Sequence, residues 1–219
     1  MATSQHVHAQ PTSGSGKGTI SVTVDAHTGR VQRSGTLTVS TVTGIKATAN
    51  CTITQAAAAQ VINLTSPTAG TKVEIAASAS DRTVTIKGTA NCANLAWNIL
   101  SEGAVITPPA ASTVTARINT TDGTGGTSIN NNVSIPGDPG AKSLYNFWMK
   151  YDLTSYKPGI DTTLEFEVSN GGSIKKTFQI IVKASAGTIS LNPTTLTFPA
   201  SGGNAQTVTV TSNDKWTVS

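Results

Sequence analysis

The residues best equipped for recognition chemistry sit in one run, Leu144 to Tyr156 (LYNFWMKYDLTSY). It holds all three tyrosines of the chain, one of its three tryptophans and one of its four phenylalanines. Aromatic rings stack on the apolar faces of sugars, and they also anchor protein interfaces because they bury much area with few rotors. Tyr145, Trp148, Tyr151 and Tyr156 are therefore the candidates for a ligand or interface site. A protein interface is favoured over a glycan site, since no polar cluster for hydroxyl recognition accompanies the rings. The same spacing has a plainer use, in which alternate members such as Tyr145 and Phe147 fill a core.

Catalysis by a nucleophile and a base needs a His, Asp or Glu set against a Ser or Cys in a pocket. The three histidines are His6 and His8 near the N-terminus and His27 in a turn, and none has a motif around it. Glu165 and Glu167 form a carboxylate pair of the kind glycoside hydrolysis uses. They alternate with Leu164, Phe166 and Val168, which places them on the outward, solvated face of a strand. The stretch Asp122 to Gly126 lacks the alternating oxygen donors and closing carboxylate of a calcium loop and reads as a turn. His6 and His8 have no third ligand nearby. The expectation is no enzyme, no cofactor and no metal. Cys51 alternates with Ala49 and Ile53 on an apolar strand face, so a buried, reduced core thiol is expected there; with Cys92 it makes too few cysteines for a disulfide framework.

The elements that must position these residues are strands. Charged residues make up only 12% of the chain, while Thr and Gly abound, a mixture that favours strands and turns over surface helices. The 15 basic residues are scattered, with Lys175 and Lys176 the one adjacent basic pair, so no nucleic-acid face is expected. No stretch is apolar enough to span a membrane, and MATSQHVHAQPTSGSGKG has neither the basic nor the apolar region of a secretion signal.

Residues 1–18 are polar, with spaced glycines, and read as a flexible N-terminal arm. Residues 19–60 hold three alternating strands, around Ile20, Val22 and Val24, then Leu37 and Val39, then Ala49, Cys51 and Ile53. Residues 61–187 form a full unit with a long loop over 120–143. Its core candidates are Val84, Ile86, Trp97, Phe166, Phe178 and Ile180. Residues 188–219 open a further unit, with strands expected at Leu196–Phe198, at Gln206–Thr211 around Val208 and Val210, and at Trp216–Val218, and with Trp216 in the core. Aligning Thr83–Ile86 with Thr207–Val210, and Trp97 with Trp216, makes this an internal repeat. The expected fold is all-β: tandem immunoglobulin-like sandwiches, one full unit flanked by partial units whose exposed edges call for completion by further chain or by another copy.

The run LNPTTLTFPASGGNAQTVTVTSNDKWTVS resembles the opening of a BACON domain, an immunoglobulin-like module with a Gly-Gly turn, a Val-rich strand and a Trp-containing strand. TVDAHTGRVQRSGTLTVSTVTGIKATANCTITQ resembles the second half of that module, including Arg33 before a strand and the closing Ile53, Thr54 and Gln55. The resemblance implies one of two settings: surface carbohydrate-active proteins of Bacteroidetes, or virion fibres and appendages of the phages that infect them. The unanchored polar arm favours the phage setting. The expectation is a non-enzymatic virion protein, such as a head fibre, capsid decoration or tail appendage, meeting capsid or tail proteins through its N-terminal arm, forming homo-oligomers and aiding adhesion to host-surface or mucin glycans. A bacterial cell-surface carbohydrate-binding protein is the alternative.

Overall fold

The structure, a computed structural model, describes residues 2–101, 104–105, 112–184, 187–212 and 216–218. It is all-β.

The first strands are β1 (Ala2–Thr3), β2 (Val7–Gln10), β3 (Ser21–Val24), β4 (Arg33–Ser40) and β5 (Thr48–Gln55). They form a three-stranded sheet in the order β1-β4-β5 and a β2–β3 hairpin. Residues 2–10 are thus not part of a free arm. Val7 lies opposite Val24 and Ala9 opposite Val22. Val7, Ala9 and Leu37 are buried together with Gly35, whose Cα would hold a Cβ against the Val7 side chain. The apolar pair Val7 and Ala9, two apart in a polar run, is enough to dock β2. Ser4 accepts a hydrogen bond from the Thr36 amide at 2.9 Å through its hydroxyl, while the residues from Pro11 to Gly18 stay exposed. Cys51 is also placed differently from the expectation. It is exposed, because the hairpin covers β4 and leaves β5 open.

The central strands are β6 (Ile62–Ser66), β7 (Lys72–Ile75), β8 (Thr83–Ala90), β9 (Asn94–Ser101), β10 (Ala104–Val105), β11 (Thr113–Ile118), β12 (Thr127–Ile129), β13 (Val133–Ser134), β14 (Tyr145–Asp152), β15 (Thr162–Ser169) and β16 (Lys175–Val182). They make two layers, β12-β11-β14-β8-β6 and β10-β9-β15-β16-β7, with β13 added to β9. Every pairing is antiparallel except that of β16 with β7. Strand alternation sends Val84, Ile86, Phe147, Met149 and Tyr151 inward from one layer, and Ile99, Leu164, Phe166, Phe178 and Ile180 from the other. Phe166 lies at the centre, its ring 5.5 Å from that of Tyr151 and 5.6 Å from that of Phe178. Each such side chain contributes about 1.5–3 kcal/mol by leaving water. Trp97 packs against this core but is only partly buried.

The last strands are β17 (Ile189–Asn192) and β18 (Thr209–Ser212), a lone hairpin. β18 pairs with β17 rather than with Leu196–Phe198, and residues 216–218 are not in a strand. Trp216, at 50% exposure, and Val208, at 37%, are not core residues, and Val210 is half-buried. A two-stranded element has no second layer to cover them. The Asn213–Asp214 turn lies outside the described residues.

Leu64 of β6 faces Gly88 of β8, and Leu191 of β17 faces Val210 of β18. The strands β2, β6 and β17 are each followed at once by a proline, Pro11, Pro67 and Pro193.

Candidate functional site

The aromatic run of β14 is divided by the strand's period of two. Tyr145 and Tyr151 face the core with Phe147 and Met149 and are buried. The Tyr145 hydroxyl donates to the Cys92 carbonyl at 3.0 Å, and burial pushes its pKa well above that of a free phenol. The Tyr151 hydroxyl donates to Ser112 Oγ at 3.3 Å, and burial raises its pKa too. Tyr156 follows the strand, half-buried against the same core. The four candidate rings are therefore not gathered into one site.

Trp148 is the one of the four on the outward face. It stands directly opposite Lys87 of β8 and Arg117 of β11. The loop 120–126 wraps its indole. Gly123 has φ +83°, and a Cβ there would lie 2.6 Å from Trp148 Cε2, so the close approach requires glycine twice over. Arg117 Nη1 donates to the Gly125 carbonyl at 2.9 Å, and the Asp122 carboxylate accepts from Thr120 Oγ1 and the Thr124 amide. Those bonds, the Thr124 amide first, hold the Asp122 carboxyl below its usual pKa. The loop is thus a self-contained turn. The neighbouring row on this face, Asn63, Thr89 and Asn146, adds amide and hydroxyl groups. Together they form a flat polar face with one half-buried indole between two cations.

The other chemical candidates are spent on structure. Glu165 and Glu167 point outward as expected, but Glu167 is 7% exposed rather than solvated. Its oxygens are held by Asn98 Nδ2 at 3.0 Å and Lys175 Nζ at 3.2 Å. His8 pairs with Asp25 at 2.8 Å, and His27 Nε2 lies 2.7 Å from the Val31 carbonyl. Among the described residues no three His, Cys, Asp or Glu side chains gather for a metal. No described helix is long and apolar enough to cross a membrane.

A seam between the first strands and the central sandwich escaped the sequence reading. Asn91, fully buried just after β8, accepts from the Val61 amide at 2.8 Å and donates to the carbonyls of Thr28 at 3.0 Å and Ala59 at 2.9 Å. The Arg30 amide donates to Gly140 O at 3.0 Å, the Val31 amide to Ala141 O at 3.1 Å and the Ala58 amide to Gly29 O at 2.9 Å. The Leu144 amide donates to Thr28 Oγ1 at 3.1 Å, and the Arg30 guanidinium pairs with Asp138. Gly29 is buried here because any Cβ would run into the backbone of Ala141 and Lys142. The signal in the sequence was Thr28-Gly29 before a strand, a pattern that an ordinary turn also produces.

No protein-family model matches the chain, and no curated protein matches it.

Proposed function

We propose that the chain is a non-enzymatic structural protein of a phage virion, such as a head fibre, capsid decoration or tail appendage, built of immunoglobulin-like modules of the BACON type. The observation that carries this reading is the seam around Asn91. Domains of one chain move relative to one another unless their interface is extensive. Here backbone bonds from residues 28–31 to 140–144, a buried asparagine with three partners and an ion pair lock the first strands to the sandwich. A stiff joint between successive β-modules is what a projecting rod needs. The exposed segment from Pro11 to Gly18 is then the part of the expected arm free to meet capsid or tail proteins, and other copies of the chain are the remaining partners. Gold-labelled antibody against the chain should decorate assembled particles. Label confined to the bacterial surface would support the cell-surface carbohydrate-binding alternative and overturn the virion reading.

Glycan adhesion is a second reading, favoured by Trp148 and its neighbours Lys87 and Arg117 on the outward face. Binding on an array of host and mucin glycans should then be lost in Trp148→Ala with the circular dichroism spectrum unchanged. Silence of the native protein on that array counts against it.

A further inference from the structure

Arg82 lies at the end of the sandwich just before β8, and at 1% exposure it is as enclosed as the aromatic core. Its Nη1 donates to two consecutive carbonyls, Ala76 at 3.2 Å and Ala77 at 3.3 Å. Nε and Nη2 are buried and have no hydrogen-bond partner among the described residues. No ion pair reaches it from the described residues. Asp81, its sequence neighbour, is exposed and accepts a hydrogen bond from the Thr83 amide.

A second arginine holds a carbonyl pair through Nη2, where Arg82 uses Nη1. Arg33 also clamps two consecutive carbonyls, those of Asp25 at 2.8 Å and Ala26 at 3.3 Å, through one terminal nitrogen. Its Nε then donates to Gln55 Oε1 at 2.8 Å, and the group is half-buried. Arg82 is the more buried of the two and carries the less satisfied guanidinium.

The two unpartnered nitrogens are not an arbitrary pair. Nε–H and the adjacent Nη2–H point the same way, and this edge of the guanidinium takes an anion through two parallel hydrogen bonds. A buried charge without a counter-charge is strongly disfavoured, and arginine cannot escape by losing its proton. We propose that Arg82 is an anion-binding site that takes a chloride-sized inorganic anion on its Nε–Nη2 edge. The near-complete enclosure of the side chain selects for a small ion, and the carbonyls of Ala76 and Ala77 fix the plane of the fork. The site is independent of the virion and glycan readings.

An anion bound only by the folded state raises stability by mass action, so the folded-to-unfolded ratio grows up to tenfold for each tenfold rise in free anion above its dissociation constant. The test follows thermal unfolding at constant ionic strength while chloride replaces gluconate, which is too large to enter. The native protein's unfolding temperature should climb with the logarithm of chloride concentration, and Arg82→Met should lose that slope. Crystals soaked in bromide should show an anomalous peak within hydrogen-bonding distance of Nε and Nη2. Equal slopes in the two proteins, or a flat native response, overturn the proposal. So does a bromide map in which water or a carboxylate of the chain itself occupies the fork. If Arg82→Met does not fold, the native slope and the map decide.

Discussion

Tyr145 is a core ring with a polar tip, and its hydroxyl is spent on a backbone carbonyl rather than on a ligand. Tyr145→Phe keeps the ring and removes the donor, leaving the Cys92 carbonyl buried without it. The urea midpoint should fall by the equivalent of about 1 kcal/mol. The same residue contributes to the alkaline limit of the fold. Burial raises the pKa values of Tyr145, Tyr151 and Cys92 above their ordinary values, so the folded protein holds these protons more tightly than the unfolded chain does. Their contribution is intact below the ordinary values, about 8.5 for a thiol and about 10 for a phenol, and is lost as pH rises from there towards the raised ones. The urea midpoint should therefore hold level through neutral pH and decline above about pH 9, less steeply in Tyr145→Phe; a midpoint still level well past the ordinary phenol value would contradict this. The aromatic run exposes the limit of reading a site from residue types. Its alternation was legible, and alternation sends Tyr145 and Tyr151 inward, but only the register shows the outward Trp148 standing between Lys87 and Arg117.

At the scale of elements, one amide side chain, that of Asn91, makes three of the hydrogen bonds of the seam. Asn91→Ala removes, from a fully buried position, the partner of the Val61 amide and of the Thr28 and Ala59 carbonyls. The cost should be about 2–4 kcal/mol, on the basis of about 1–3 kcal/mol for each buried group that water fails to reach. Small-angle scattering should show a broader distribution of shapes as the first strands swing free, whereas a loss of stability with no change in shape would mean that the backbone bonds of residues 30–31 hold the joint alone. Val7 provides a parallel test on β2. Val7→Asp places an unpaired charge at a position 2% exposed, which should cost several kcal/mol and abolish amide protection in β4 and β5 while β8 and β14 keep theirs. Unchanged protection in β4 would mean that β2 is dispensable. The strands β8, β15 and β16 were legible because Val84 and Ile86, then Leu164, Phe166 and Val168, then Phe178, Ile180 and Val182 stand two apart along the chain. β2 was not, because its four residues offer only Val7 and Ala9, and the meaning of that pair comes from Leu37 across the fold. The choice of β17 over Leu196–Phe198 as the partner of β18 is likewise a matter of register, since both stretches are apolar enough to pair.

Over the whole molecule, stability is distributed unevenly, and the three tryptophans report it. The central sandwich has two layers around an enclosed core, while β17 and β18 are paired only with each other and leave Ile189, Leu191, Phe198 and Trp216 between 47% and 62% exposed. A lone hairpin is marginally stable in water, and the cost of ordering it is offset here by few buried contacts. Hydrogen exchange should therefore be fast in β17 and β18 and slow in β14 and β8, and a protease should cut within residues 194–206 before it touches the sandwich. A chain ending at residue 187 should lose the hairpin with a change in the urea midpoint of the sandwich worth less than about 0.5 kcal/mol, because none of the sandwich core comes from the removed residues. In variants that keep one tryptophan each, acrylamide should quench Trp216 strongly and Trp97 weakly in dilute protein. If Trp216 instead becomes protected as the protein is concentrated, its exposed ring is being covered by another copy, which the proposed homo-oligomer requires. If it is protected at every dilution, or if the truncation costs several kcal/mol, the hairpin is part of the stable fold and the separation of the molecule into a firm sandwich and a loose final hairpin fails.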